Sequence, residues 1–301
     1  ITLGGIGTIV AVLLVGVYLL TVALPLFRSA RVSGLGSDLT AADPARMGID
    51  ESGSVAWVLD GGHGVAGDDH VQVMATATGD RLLDVATGDA GLQGWSAFRA
   101  EPGGLLAAVG YADGTFRSGK FGLDDEFLAA EQVPEEIRTA PVGTARAMDG
   151  AILVRGENDR FSRVRLVKEL GPASQPLGGP IVDVDVTPLG DGMLVAALDE
   201  TGRVRVERGV SKRNMLTGKV TVKSTGATIE PEAGFSPRFV RVTGLGDQLF
   251  LFSATGAARR FVIRDVTKPE AMESFAAAPD GRGVQAVERL FGGTTLAVAD
   301  T

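Results

Sequence analysis

MLVAALDETGRVRVERG, Met193 to Gly209, reads as an almost continuous apolar strand, a polar turn, and a second strand alternating apolar with charged residues. A strand covered on both faces needs no polar side, whereas one with a wet face alternates with a period of two. The first strand therefore belongs inside a sheet stack and the second nearer its surface. The same plan recurs at LLAAVGYADGTFRSGKF (Leu105 to Phe121), AILVRGENDRFSRVRLV (Ala151 to Val167) and LFLFSATGAARRFVIRD (Leu249 to Asp265), and TTLAVADT (Thr294 to Thr301) begins it again. Turn-to-turn distances are 44 residues from Gly114 to Asn158, 44 to Gly202, 54 to Gly256 and 45 to Thr301. A recurrence of roughly 40–50 residues is the period of WD40-like and kelch-like blades. A lone four-stranded sheet leaves both faces wet, and blades stacked round an axis bury each against the next.

Upstream of the repeats, SVAWVLD (Ser54 to Asp60), HVQVMAT (His70 to Thr76) and RLLDVAT (Arg81 to Thr87) are short Val/Leu/Ala-rich runs, the last two joined through Thr78-Gly79-Asp80. That is a tight hairpin. The expected fold class is thus all-β, a WD40-like β-propeller over residues 46–301, with about five full units, a sixth begun and more sequence to follow Thr301. A β-sandwich or another all-β array is the alternative, since repeat length does not fix closure.

Ahead of this region stands Ile1 to Phe27, ITLGGIGTIVAVLLVGVYLLTVALPLF, without one charged residue. At ~1.5 Å per residue a helix of that length exceeds the ~30 Å hydrocarbon core of a bilayer. A cleaved signal peptide would have a shorter apolar core and a small-residue cleavage site; a buried soluble helix would carry a polar stripe. The expectation is one N-terminal transmembrane α-helix over residues 1–27, a Gly-containing linker over 28–45, and a membrane partner through the helix. Arg28 and Arg31 follow the helix, and positive charge taken alone holds the following chain in the cytoplasm.

Composition excludes several classes. The chain has no cysteine, so no disulfide framework, thiolate nucleophile or Cys-ligated metal is available. A net charge of −8 argues against a nucleic-acid partner, which is bound through surplus Lys and Arg.

Several stretches mimic functional motifs. Gly62 to Gly67 satisfies the GxGxxG pattern, but DDHVQVM after it is a strand, and a dinucleotide site needs a helix to open there. Gly114 to Lys120, GTFRSGK, approaches a P-loop, yet Phe121 stands where Ser or Thr must hold Mg²⁺. The two histidines, His63 and His70, flank Asp68 and Asp69 and are the best candidates for a metal cluster or a propeller-funnel enzyme site; an exposed Gly/Asp/His loop is the simpler reading. Asp183 and Asp185 share one face of IVDVDV, either as an acid/base pair or, more simply, as a solvated strand face. Arg160, Arg163, Arg165, Arg203 and Arg205 recur at like places in successive repeats, which suits outward-facing strands better than one anion site. No catalytic, cofactor-binding or metal-ligating residue is assigned, no cofactor is expected, and the chain reads as not an enzyme.

Two stretches carry a family resemblance: VYLLTVALPLF (Val17 to Phe27) before a small-residue linker, and VQVMATATGDRLLDVATGD (Val71 to Asp89). With them the chain resembles the N-terminal part of a phosphate ABC transporter permease, in the long variety with a large extracytoplasmic insertion after its first helix. The resemblance implies a bacterial inner-membrane location with the propeller in the periplasm, against the hint from Arg28 and Arg31. It also implies a second permease subunit, an ATPase subunit and a periplasmic phosphate-binding protein as partners, with the propeller as a docking or regulatory module. A single-pass anchored propeller scaffolding an envelope assembly is the rival reading.

Overall fold

The computed structural model describes residue 14 and residues 44–60, 70–101, 104–190, 192–213, 220–279, 282–290 and 293–301. The expected span over Ile1–Phe27 lies outside the described residues apart from Leu14, which is helical, and so do His63, Asp68, Asp69 and the Gly62–Gly67 stretch. Among the described residues no helix is long and apolar enough to cross a membrane. The chain divides into two compact units, Ile1–Asp38 and Leu39–Thr301, and all five sheets belong to the second.

That unit is all-β, built of antiparallel sheets in chain order. Sheet I comprises β1 (Pro44–Ile49), β2 (Val55–Asp60), β3 (His70–Ala75) and β4 (Arg81–Ala86). Sheet II holds β5 (Trp95–Ala100), β6 (Leu106–Tyr111), β7 (Phe116–Leu128), β8 (Ala145–Met148), β9 (Ala151–Arg155) and β10 (Phe161–Leu170), in the order β5-β6-β7-β10-β9-β8. Sheet III comprises β11 (Ile181–Leu189), β12 (Gly192–Asp199), β13 (Val204–Arg213) and β14 (Val220–Ile229). Sheet IV comprises β15 (Pro237–Val242), β16 (Gln248–Ser253), β17 (Ala257–Val262) and β18 (Glu270–Ala276); sheet V pairs β19 (Val284–Arg289) with β20 (Leu296–Asp300).

The sheets pack face to face in sequence, a propeller-like arrangement that is not closed among the described residues. The second strand of each sheet shows why its apolar run is continuous. In β12, Leu194, Ala196 and Leu198 enter a core shared with sheet IV, while Val195 and Ala197 enter one shared with sheet II. In β6, Ala107 and Val109 face sheet I, while Ala108 faces sheet III. Alternate residues thus serve two interfaces, and burial on both faces removes any polar position. The approach is close enough that a Cβ at Gly110 would overlap Cγ2 of Ile181 in β11.

One repeat expected from sequence does not form a sheet of its own. Ala151 to Val167 is the β9–β10 hairpin, and β10 pairs along the distal part of β7 from Phe161↔Leu128 to Leu170↔Gly119. The hairpin extends sheet II outward, and the described residues form four full sheets and a two-stranded fifth where five full units and part of a sixth were expected. The physical cause is the 13-residue β7, long enough to offer β10 a ladder. β9 imitates an inner strand because it too is covered twice: Ile152 and Val154 join the core between sheets I and II, and Leu153 packs with Val133 and Ile137 of the segment around the one-turn helix Glu135–Arg138.

Candidate functional site

The first strands of the five sheets, β1, β5, β11, β15 and β19, line one cavity of about 1120 Å³, a funnel where the sheets converge. All five share a local irregularity: after the first pair the register slips by one residue, between Pro44 and Arg46, Trp95 and Ala97, Ile181 and Asp183, Pro237 and Phe239, and Val284 and Ala286. A bulge turns the strand and re-aims its side chains. The fifth residue of each strand is then equivalent: Gly48, Arg99, Asp185, Arg241 and Glu288. Past the glycine, the sign alternates from sheet to sheet.

These charges solve a backbone problem. A first strand pairs on one side only, so its other edge presents N–H and C=O groups away from bulk water, where unpaired polar groups are costly. Carboxylates take the amides: Asp183 accepts from Val240 N at 2.8 Å, and Asp185 accepts from Val242 N at 2.8 Å and from Val186 N at 3.0 Å. Guanidinium groups take the carbonyls. Arg46 Nε donates to Phe98 O at 3.0 Å, Arg241 Nε to Val287 O at 2.8 Å, and Arg289 to Val242 O and Val186 O at 3.1 and 2.8 Å. With the exception of the Asp185–Val186 bond, each contact crosses from one sheet to another.

The charges also satisfy one another. Arg241 is 2.5 Å from Asp183, and Asp185 lies 3.6 Å from Arg99 and 3.9 Å from Arg289. Arg99 grips Glu288 with both terminal nitrogens, at 2.7 and 2.5 Å, tying sheet II to sheet V. Burial pushes the Asp183 carboxyl above the ordinary range, and Arg241 opposes this only in part. For Glu288 burial also works against the charge, but the Arg99 bond and field outweigh it and hold the carboxyl below the ordinary range. The Arg46 guanidinium is lowered by burial and by the nearby Arg99.

A lowered carboxyl contributes stability above its unfolded pKa and loses it as pH falls through the folded value. Because the Glu288 side chain is 57% exposed, solvent screening limits the pair to about 0.5–1 kcal/mol. Glu288→Gln is expected to cost that much at pH 7 in urea titrations, and the difference should vanish in acid, below the ~4.3 of an ordinary glutamate. A difference that persists unchanged to pH 3 would mean packing, not charge, is what the variant loses.

The placement of Asp183 and Asp185 corrects the solvated-face expectation. Asp185 is fully buried and Asp183 largely so, both engaged as acceptors across the sheet III–IV interface. Sequence reading also missed Arg46, Arg99, Arg241, Arg289 and Glu288. A signal existed: PARMGI, WSAFRA, IVDVDV, PRFVRV and VQAVER all precede a near-continuous apolar strand, and four of them place a charge at the same fifth position.

The remaining candidates lie elsewhere. His70 Nδ1 is 2.6 Å from Asp84 on the adjacent strand, both side chains about one-third exposed, and Arg81 holds the other carboxylate oxygen at 2.7 Å. Gly114 sits in the β6–β7 turn at φ 81°, with Lys120 exposed on β7, so the P-loop likeness falls on a hairpin. Arg163 pairs with Glu126, Arg203 with Glu230 and Arg205 with Glu207, spread over two sheets. Arg160 immediately precedes β10, and Arg165 stands opposite Asp124. Among the described residues no group of His, Cys, Asp and Glu is arranged to hold a metal.

The architecture is of the propeller-like all-β class, and the solved structures include one it is similar to. That protein is titled a "putative 6-phosphogluconolactonase" from Bacteroides uniformis, 14% identical, with a TM-score of 0.45 over 85% of this chain. The chain spans 64% of that protein's length. No protein-family model and no curated protein matches the sequence. The expectation that the chain is not an enzyme is corrected by this finding, since the protein it is similar to carries an enzyme's name. A likeness at this level brings no substrate or activity to the chain.

Proposed function

We propose that the chain supplies the extracytoplasmic part of an ABC-type phosphate importer permease: a WD40-like β-propeller, tethered to the bacterial inner membrane through Ile1–Phe27 and standing in the periplasm as a docking or regulatory module. The observation that carries this reading is an uncharged 27-residue run ahead of an all-β repeat unit. An apolar run of that length favours a membrane, and independent sheets stacked in series suit a module inserted beside a helix bundle. The family-like stretch Val71 to Asp89 supports it as well, since it comprises most of β3, all of β4 and the turn between them. On this reading the partners are a second permease subunit, an ATPase subunit and a periplasmic phosphate-binding protein.

The test uses the complete gene product in its own cell. The protein should sediment with inner membranes and resist carbonate extraction, and protease added to spheroplasts should remove the propeller. Deleting the codons for residues 46–301 should leave membrane insertion intact and change phosphate uptake or its regulation. Recovery in the soluble fraction, or protection from external protease, sinks the reading.

A further inference from the structure

The outer half of sheet III is basic in a protein of net charge −8. From Val210 to Ile229 the sequence has four cations, Lys212, Arg213, Lys219 and Lys223, and no carboxylate. Three of the chain's six lysines fall between residues 212 and 223, although arginines outnumber lysines 23 to 6. Charge segregated in this way from an acidic remainder points to an oppositely charged partner.

Topology sets the same stretch apart. β13 and β14 hold one register over ten pairs, from Val204↔Ile229 to Arg213↔Val220. β12 accompanies β13 only as far as Gly192↔Val210, so the rungs Ser211↔Val222, Lys212↔Thr221 and Arg213↔Val220 continue beyond it as a two-stranded ribbon. Thr221 stands opposite Lys212 and Lys223 opposite Val210, which places the two lysines on one face as diagonal neighbours. Like charges at that spacing repel. Lys223 is exposed, and among the described residues it has no ion-pair partner. Near the outer edges of sheets I, II and IV the charges are paired instead: Arg81 with Asp84, Arg146 with Glu136, and Arg260 with Glu273. The β3–β4 and β17–β18 ladders also slip register, which blunts an open edge, whereas β13–β14 does not.

We propose that the β13–β14 ribbon is a contact arm for an anionic lipid surface, with Lys212, Arg213 and Lys223 as the charges that meet the headgroups. Lysine is a strongly hydrated point charge and lacks the planar fork with which arginine grips one acidic group. It therefore suits a diffuse layer of negative charge, such as a headgroup region, better than a single acidic site on a folded protein. The six residues between the strands read NMLTGK, so Met215 and Leu216 stand in sequence between basic residues. Apolar residues beside cations are the composition of a bilayer-surface contact. The inference rests on the tethered reading for proximity alone: a chain anchored through Ile1–Phe27 keeps the ribbon at a high effective concentration near the bilayer.

Because the chain has no cysteine, Thr225→Cys at an exposed position of β14 takes a single donor dye. The full chain is combined with vesicles of phosphatidylcholine, or of phosphatidylcholine and phosphatidylglycerol, each carrying a headgroup-linked acceptor. Energy transfer is expected to be severalfold higher with phosphatidylglycerol and to collapse near 1 M salt, where the Debye length is about 3 Å. It should be lost when Lys212→Gln, Arg213→Gln and Lys223→Gln are combined. Combining Lys120→Gln, Lys168→Gln and Lys268→Gln removes three exposed charges elsewhere and should leave it unchanged. Thermal unfolding checks the variants; were the ribbon variant unfolded, the lipid and salt dependence of the parent chain and the second variant would decide. Equal transfer with the two lipids, as an arm for an acidic protein would give, overturns the proposal, and so does an equal loss in both variants. A ribbon variant that keeps its transfer but self-associates also overturns it, and makes the lysines guards of an open edge. Sedimentation with the neutral vesicles reports the tether separately, so failure of that reading and failure of the arm are distinguishable.

Discussion

Asp185→Ala is expected to cost about 3–5 kcal/mol of unfolding free energy, the range for removing one partner from a buried charge cluster. The carboxylate is fully buried. It accepts from Val242 N–H of sheet IV and Val186 N–H of its own strand, and faces Arg99 and Arg289 at 3.6 and 3.9 Å. Alanine would leave the Arg99 and Arg289 guanidinium groups, 11% and 6% exposed, without the carboxylate near both and the Val242 amide without its acceptor. For a domain of this size the melting temperature should fall by roughly 10 °C. Asp185→Asn separates the two roles, because its side-chain oxygen can still accept from Val242 while the charge is gone; it should recover part of the loss. Urea and thermal unfolding followed by circular dichroism measure both. A cost near zero for the alanine variant would return Asp185 to a solvated strand face and remove the cross-sheet zipper as a source of stability.

That residue also marks where sequence reading stops. Hydrophobic periodicity reports burial through apolar side chains, so β6, β12 and the β3–β4 hairpin were legible: Leu194 to Leu198 is almost unbroken and is buried on both faces. A charge within a strand reports as solvent exposure, and in IVDVDV that inference fails because the aspartates face the edge amides of another sheet. Complementarity between Asp on β11 and Arg on β5, β15 and β19 joins residues far apart in the chain and has no local period. The β9–β10 hairpin was misplaced for a related reason. AILVR is covered on both sides as an inner strand is, but what decides its sheet is the length of β7, and sequence alone gives no boundary at Gly122 where φ reaches 146°.

The propeller-like packing and the funnel meet in one aromatic group, where the other large effect is expected. Phe121 of β7 is fully buried, and its ring stands edge-on to Trp57 of sheet I and Phe98 of sheet II, with centroids 5.3 and 5.4 Å away; Trp57 and Phe98 are themselves edge-on at 5.7 Å. Three rings set edge-to-face satisfy the quadrupole preference at every contact. Gly48 completes the arrangement, since a Cβ there would collide with the Trp57 indole. Phe121→Ala should cost about 3–5 kcal/mol through the lost apolar burial and the cavity left behind. Phe121→Leu, which keeps most of the volume, should cost under about 2 kcal/mol. Trp57 and Phe98 also form part of the funnel wall, so the alanine variant should perturb the near-ultraviolet circular dichroism of the two tryptophans even below its melting transition. An unchanged aromatic spectrum together with a full stability loss would show that the wall is held by the strands rather than by Phe121, and that funnel shape is independent of the core behind it.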